Sequence, residues 1–483
     1  MHTDTISPPI YAGIRIVNRP DLQNVMRLDR SVMPMLTEME QVGIRIDPQH
    51  LERLHVQLTS EMEDLADKQA ELSGKRINIA SGDQLSDLLF VHLKLKQNGR
   101  EKWTKSKARL AADGDVLKAM VSQHPCIRVI LDWKEREKLR STYTLSLAAK
   151  ADENKRIHTD FSSITAATGR LASSDPNLQN IPTRTELGTE IRNAFIPSHG
   201  MSLGSADASQ IEMRLNCFDS QCANMMRFFV DKEDFYWGTA SLMYRREFPA
   251  ILRACDCPKN AKGKQLHVDA CPTIIHAPGE HYDGMTYKKW YRDICAKVTA
   301  LMVGYDASAG GLYDQFLAWG VPGWTESLCE QAIRDYFGGY PELLKRKRVH
   351  DQRAERYGWV WDLGGRVRWR PQIRSLIKRI VAEGLRQAGN MAGQGGAAFV
   401  IKLWMAIIWD SMKYWNRMGV RLLLQIHDEL LAEGPRAALE DFLNEAVELL
   451  RNLFYGFEQW FNVPLDGSIG IGDTGVPWGR IGH

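Results

Sequence analysis

Two aspartates stand where a metal-assisted phosphoryl transfer would need them. Asp207 follows a short apolar run, 201–206, and Asp428 lies between two others, 422–426 and 430–432. Hard carboxylate oxygens are the ligands Mg²⁺ prefers. Two such ions, about 3.5 to 4 Å apart, activate an attacking hydroxyl and steady a leaving oxygen. Either acid alone reads as an ordinary turn residue. Held side by side on rigid strands, with the backbone carbonyl of Ala208 and the carboxylate of Glu429 nearby, the two make a candidate metal site.

The elements that must hold these residues are readable from periodicity. The run 201–206 predicts a strand leading to Asp207, and residues 210–218 predict a helix leaving it. The apolar runs around Asp428 predict a hairpin with three polar residues, His427, Asp428 and Glu429, at its tip. Between 156 and 200 the chain breaks into polar turns, notably Thr168-Gly169-Arg170 and Asp175-Pro176-Asn177, which cannot continue a helix. Leu51, Leu54, Leu58, Met62, Leu65 and Leu72 fall at helical spacing, so 48–73 predicts one long amphipathic helix with Pro48 in its first turn and Gly74 at its end. Asn78 and Ser81 open another with Leu85, Leu88 and Leu89. A basic loop follows, holding Lys102, Lys105, Lys107 and Arg109.

The surroundings of both aspartates resemble a known family. The run Asp207 to Arg214 is similar to the first palm motif of family A DNA polymerases, and Ile426-His427-Asp428-Glu429 resembles the family's hairpin motif. Thr168 to Leu171 with Ser174 to Pro182, continued by Arg184-Thr185 and Ile191 to Pro197, resembles the family's segment beside the primer terminus. Arg386, Asn390 and Gln394, spaced by four, resemble its minor-groove helix. The resemblance runs from Leu36 to Trp478.

What the resemblance implies is an α+β, right-hand polymerase fold with an antiparallel palm sheet and helical fingers and thumb. It divides the chain into an N-terminal extension (1–30), thumb with the start of the palm (31–155), palm with the primer-terminus segment and first carboxylate (156–220), fingers (221–400) and C-terminal palm (401–483). The implied activity is template-directed addition of deoxynucleotides to a primer 3′ end. Asp207, Ala208 and Asp428 would hold two Mg²⁺, and Lys297 and Glu429 would assist. Gln210, Glu212, Tyr236, Arg292, Lys297, Leu301 and Tyr305 would meet the nucleotide. Arg170, Asn177, Gln179, Asn180, His427, the helix of Arg386 and the basic loop would meet DNA. Glu212 is expected to close off the space beside C2′, which separates this reading from an RNA polymerase of related architecture. A catalytically dead duplex-binding relative is the other alternative. The implied partners are primer-template DNA and dNTPs, with a processivity factor or separate exonuclease subunit left open. The implied state is a monomer in a bacterial or phage-infected cytoplasm.

The pattern also departs from the family. Lys297, Leu301 and Tyr305 line one helical face, but Leu301 replaces a common aromatic and Asp306 replaces a glycine. The second cation expected four residues before Lys297 is instead Asp293. Arg292 is one position too early, about 140° away on an ideal helix, so either a π-bulge brings it round or another cation serves. Tyr236 aligns with the family's triphosphate-binding His. Residues 245–290 form a long connection whose Cys255, Cys257, His267, Cys271 and His276 are candidate zinc ligands, although Cys-x-Cys is tighter than the usual pairing; the alternative is an irregular insertion with free thiols. Only about 30 residues precede the thumb-like segment, too few for a nuclease fold, so no proofreading activity is expected.

Bulk properties fit without deciding. A chain of 483 residues, 44% hydrophobic, predicts two to four subdomains. Its net charge of +3 does not by itself indicate nucleic acid. Val400 to Trp409 is interrupted by Lys402, which argues against a membrane span, and the scattered cysteines suit a reducing cytosol.

Overall fold

The computed structural model describes residues 7–482 apart from 98–100, 105, 107, 183–184, 245–285, 320 and 322. Its central feature is a four-stranded antiparallel sheet in which Ser202–Ala208 lies between Gly467–Ile471 and Glu429–Gly434, with Arg421–Ile426 at the far edge. Strand alternation sends neighbouring residues to opposite faces. Gly204, Ala206 and Ala208 face helix Arg436–Arg451, which packs so closely that a Cβ on Gly204 would stand 2.6 Å from Leu443. Leu203 faces the other way, into a second core with Leu424, Leu431 and Ile426, and Asp207 shares that face. Leu422 lies in the core beneath helix Arg436–Arg451 while the adjacent Leu423 and Leu424 both lie in the second core, because a bulge between Leu422 and Leu424 breaks the alternation.

Two long helices, Pro48–Ser73 and Pro125–Tyr143, pack together on the side of the second core. The first begins as expected: Asp47 accepts from the N–H groups of Gln49 and His50, and Gly74 ends it with φ of 70°. Beyond it, Gly82–Ser86 runs into a π-helical turn, Asp87–His92, whose Leu88 and Leu89 join a small separate core. Helix Leu22–Val42 runs continuously across residue 30 and packs on helix Gly396–Arg417 and strand Arg421–Ile426. Its Asp29 pairs with Arg366 and Lys402 at 2.6 and 2.7 Å. By length and mean hydropathy, Lys378–Arg417 could cross a membrane, but 83% of its apolar 18-residue stretch is buried among other elements, as a core helix is.

Two local expectations are corrected. The segment after Asp175 contains a helix, Glu186–Asn193, started by the Thr185 side chain accepting from Gly188 N–H. The hairpin tip holds two residues rather than three, since Glu429 already pairs with Ile426 and with Asp207 as the first residue of its strand.

Candidate active site

Sheet register brings the acids together. Asp207 is the direct cross-strand partner of Glu429, and Ala208 N–H donates to the Asp428 carbonyl at 3.0 Å, so the hairpin tip is tied to the end of the Asp207 strand. Just beyond, Ser209 N–H donates to the Asp466 carbonyl at 2.9 Å, and Arg214 donates to the carbonyls of Ser209 and Pro464. The turn after Asp207 is therefore fixed from both sides. Gln210 takes φ of 55° there, caps helix Ile211–Ser220, and its Oε1 is buried without a hydrogen-bond partner among the described residues.

Glu212 stands on the first turn of that helix, half-buried and ion-paired with Arg170. Burial holds its carboxyl above the ordinary range and Asp428 adds to this, with Arg170 opposing. Asp428 is likewise pushed up by burial, against Arg170 and His427. Arg170, Glu212 and Asp428 thus feel one another, although they come from three separated segments.

The wall opposite is built by helices Phe235–Met243 and Lys297–Gly304. Tyr236 is buried, and its hydroxyl is raised by burial and by the charges of Glu212 and Asp428. Lys297 Nζ and Arg292 Cζ lie 5.5 and 5.9 Å from its ring centroid. The misplacement of Arg292 is resolved by a π-helical turn, Trp290–Ala296, in which Lys297 N–H donates to the Arg292 carbonyl. The additional residue in the turn sets Arg292 beneath Lys297 and beside the same ring. Arg292 also pairs with Asp234 at 2.6 Å and with Asp293. Leu301 is half-buried against the main core. Tyr305 ends the helix, and Asp306 takes φ of 59°, the conformation a glycine adopts without strain; its carboxylate is 2.7 Å from Lys347 Nζ.

The residues expected to meet DNA fall in three groups. Gln179 donates to the backbone and side-chain oxygens of Gln425 at 3.1 and 2.9 Å, Asn177 accepts from Gln179 N–H, and the Asn180 carbonyl accepts from Tyr143. That segment is therefore fastened to the hairpin whose exposed tip residue is His427. Arg386 and Asn390 lie on helix Lys378–Asn390, but Gln394 belongs to a π turn, Met391–Gly395, so the even spacing of four does not continue to it. Arg386 is ion-paired with Glu383. In the basic loop, Lys102 Nζ is 2.7 Å from Asp113 and Arg109 pairs with Asp87, while Lys105 and Lys107 lie outside the described residues. So do Cys255, Cys257, His267, Cys271 and His276.

One residue of the stretch Ile191 to Pro197 makes contacts that sequence reasoning did not give. Arg192, on Glu186–Asn193, stacks 3.9 Å from the Trp478 ring centroid, and its chief opposing charge is Glu429. Its place in that motif is legible in the sequence, but its contact with an aromatic almost 300 residues away is not, because no local pattern connects the two.

The donor set near Asp207 and Asp428 is hard oxygen, which suits Mg²⁺. No group of three or more His, Cys, Asp or Glu among the described residues gathers to hold a metal. Mg²⁺ commonly uses one or two carboxylates and completes its shell with water and substrate phosphates, so such a pair fits that ion.

Comparison with known proteins agrees with this geometry. The model of DNA polymerase family A matches residues 48–253 and 287–478. The thermostable DNA polymerase I of Thermus caldophilus is 32% identical over 447 residues, which is 92% of this chain and 47% of that protein. DNA polymerase I of Chloroflexus aurantiacus is 31% identical over 451 residues, 92% and 42% of the two chains. The chain therefore spans about half the length of these curated relatives. Among solved structures, the POL domain of Pol1 from M. smegmatis, in complex with DNA primer-template and dNTP, has a TM-score of 0.76 at 27% identity, covering 95% of this chain and 73% of that one. The architecture is that of a right-hand polymerase.

Proposed function

This chain belongs to DNA polymerase family A, and from that premise we propose that it extends a primer 3′ end with deoxynucleotides on a DNA template. The observation that carries the reading is the meeting of Asp207, Asp428 and Glu212 from the palm with Tyr236 and Lys297 from the fingers around one site. Asp207 and Asp428, with the Ala208 carbonyl, would hold two Mg²⁺, which supply charge neutralisation at the attacking and leaving oxygens. The chain's own residues do the rest. The fixed turn at Ser209 keeps the two acids in place. Lys297 and Arg292 face the position of a triphosphate, where charge develops on the leaving pyrophosphate. Gln210 offers an acceptor, and Glu212, held by Arg170, bounds the sugar side. The segment 170–180, fastened to the hairpin, and the helix of Arg386 and Asn390 would position the duplex through phosphate and groove contacts.

Primer extension under Mg²⁺ titration tests this. Asp428→Ala and Asp207→Ala should each lose several orders of magnitude in rate while retaining duplex binding, because binding rests on contacts elsewhere. Near-normal extension by Asp428→Ala would overturn the two-metal assignment.

A further inference from the structure

Outside the site just described, the fingers carry an aromatic face with no role in it. Strands Trp359–Trp361 and Val367–Trp369 pair antiparallel, Trp359 opposite Trp369 and Trp361 opposite Val367, so these four side chains share one face of a two-stranded ribbon. The opposite face is occupied: Val360 is buried and Arg368 donates to the Gln387 carbonyl. On the aromatic face the rings form a chain. The Trp359 centroid lies 5.2 Å from that of Tyr357, 5.6 Å from Trp361 and 6.1 Å from Trp369. Guanidinium groups cover its ends, with Arg353 Cζ 3.9 Å from the Trp361 centroid and Arg356 Cζ 5.2 Å from that of Tyr357. Trp369 is 65% exposed, a large apolar area for a side chain in a folded surface.

Charge distribution singles out the same place. Residues 341–386 contain 13 Lys and Arg against 5 Asp and Glu, a net of +8, whereas the whole chain nets only +3. Part of that excess is spent inside the fold: Arg346 on Asp219, Lys347 on Asp306 and Asp351, Arg366 on Asp29. Arg356, Arg374, Lys378 and Arg379 are exposed. An aromatic face bordered by exposed cations matches the chemistry of unpaired polynucleotide, whose bases offer π-faces and whose backbone is anionic.

We propose that the ribbon face of Trp359, Trp361 and Trp369, with its flanking arginines, is a stacking platform for single-stranded DNA outside the synthetic cleft. The fold connects it to that cleft: the helix that bears Arg353 and Arg356 holds Asp306, next to Tyr305, through Lys347. An unpaired strand crossing this face would meet aromatic rings and cations rather than bare solvent. The proposal is independent of catalysis, since it concerns binding without nucleotides.

The test is equilibrium binding of labelled oligodeoxythymidylate and of a blunt duplex of equal length, by fluorescence anisotropy over a range of salt. Trp369→Ala should weaken the oligodeoxythymidylate by about five- to tenfold and the blunt duplex by less than about twofold, while Trp369→Phe keeps most of the affinity. Arg356→Ala should reduce the salt slope on the single strand by about one. Unchanged oligodeoxythymidylate affinity in Trp369→Ala, or an equal loss on both ligands, would overturn the proposal. So would a Trp369→Phe protein as weak as the alanine variant.

Discussion

Asp362→Asn is expected to abolish a loss of stability that the native protein suffers as pH rises from about 4 to 7. Asp362 is buried in the turn between the two tryptophan strands, and one carboxylate oxygen, Oδ1, accepts from the N–H groups of Gly364 and Arg366, each at 2.9 Å. Burial outweighs those bonds and the charges of Arg366 and Lys402, and pushes the carboxyl from 3.8 up to about 7. A raised carboxyl binds its proton more tightly in the folded than in the unfolded chain. Its contribution therefore favours folding below about pH 4 and is lost as pH climbs through 7, above which the curve flattens. The span from 3.8 to about 7 corresponds to at most about 4 kcal/mol. Unfolding entropy of roughly 2.1 cal/mol/K per residue gives about 1 kcal/mol/K for this chain, so the lost stability is worth up to about 4 °C in Tm. Asparagine keeps an oxygen for both N–H donors but does not titrate. Thermal melts of both proteins from pH 4 to 7.5 should show the Tm of Asp362→Asn gaining on that of the native protein by up to about 4 °C. Parallel curves would refute the assignment of a buried, titrating acid to this turn.

The nucleotide wall gives two further expectations. Lys297→Ala should raise KM for the nucleotide and lower kcat together, by about 10- to 150-fold in kcat/KM, the range of a charge-assisted hydrogen bond. Arg292→Ala should cost less, about three- to tenfold, because Asp234 and Asp293 already answer its charge; unchanged steady-state kinetics would show that the π turn places it for structure alone. Glu212→Ala should gain ribonucleotide incorporation and lose some deoxynucleotide efficiency. A native discrimination of several thousandfold needs roughly 5 kcal/mol from this contact and its neighbours, and equal use of both sugars by the native protein would sink the gate.

What could be read in the sequence, and what could not, divides along one physical line. Local signals carried well where regular periodicity and side-chain type suffice. The helix Pro48–Ser73 follows from its leucine spacing, Pro48 and Gly74, and the strands around Asp207 and Asp428 follow from short apolar runs. Partners distant in sequence were invisible. Lys102 and Arg109 read as cations, yet each is paired with a carboxylate from another segment, and Arg192 meets Trp478 only through the fold. The π turns are the intermediate case. A turn with bonds from residue i to i+5 takes one residue more than the α-helical period, so it leaves no pattern of its own and is noticed only as a functional residue out of phase. Arg292 was such a residue, one place too early, and the turn Trp290–Ala296 accounts for the offset. In the helix of Arg386 and Asn390 the relation is reversed. There the spacing of four looked regular, and the π turn Met391–Gly395 breaks it at Gln394. A straight α-helix would set all three residues along one face. With the additional residue Gln394 is rotated off that row, and the turn itself packs on helix Ile211–Ser220, where a Cβ on Gly393 would meet Asn216 at 3.1 Å. Both π turns thus adjoin the helices that carry the site, and in both the irregularity shifts one polar residue around the helix axis.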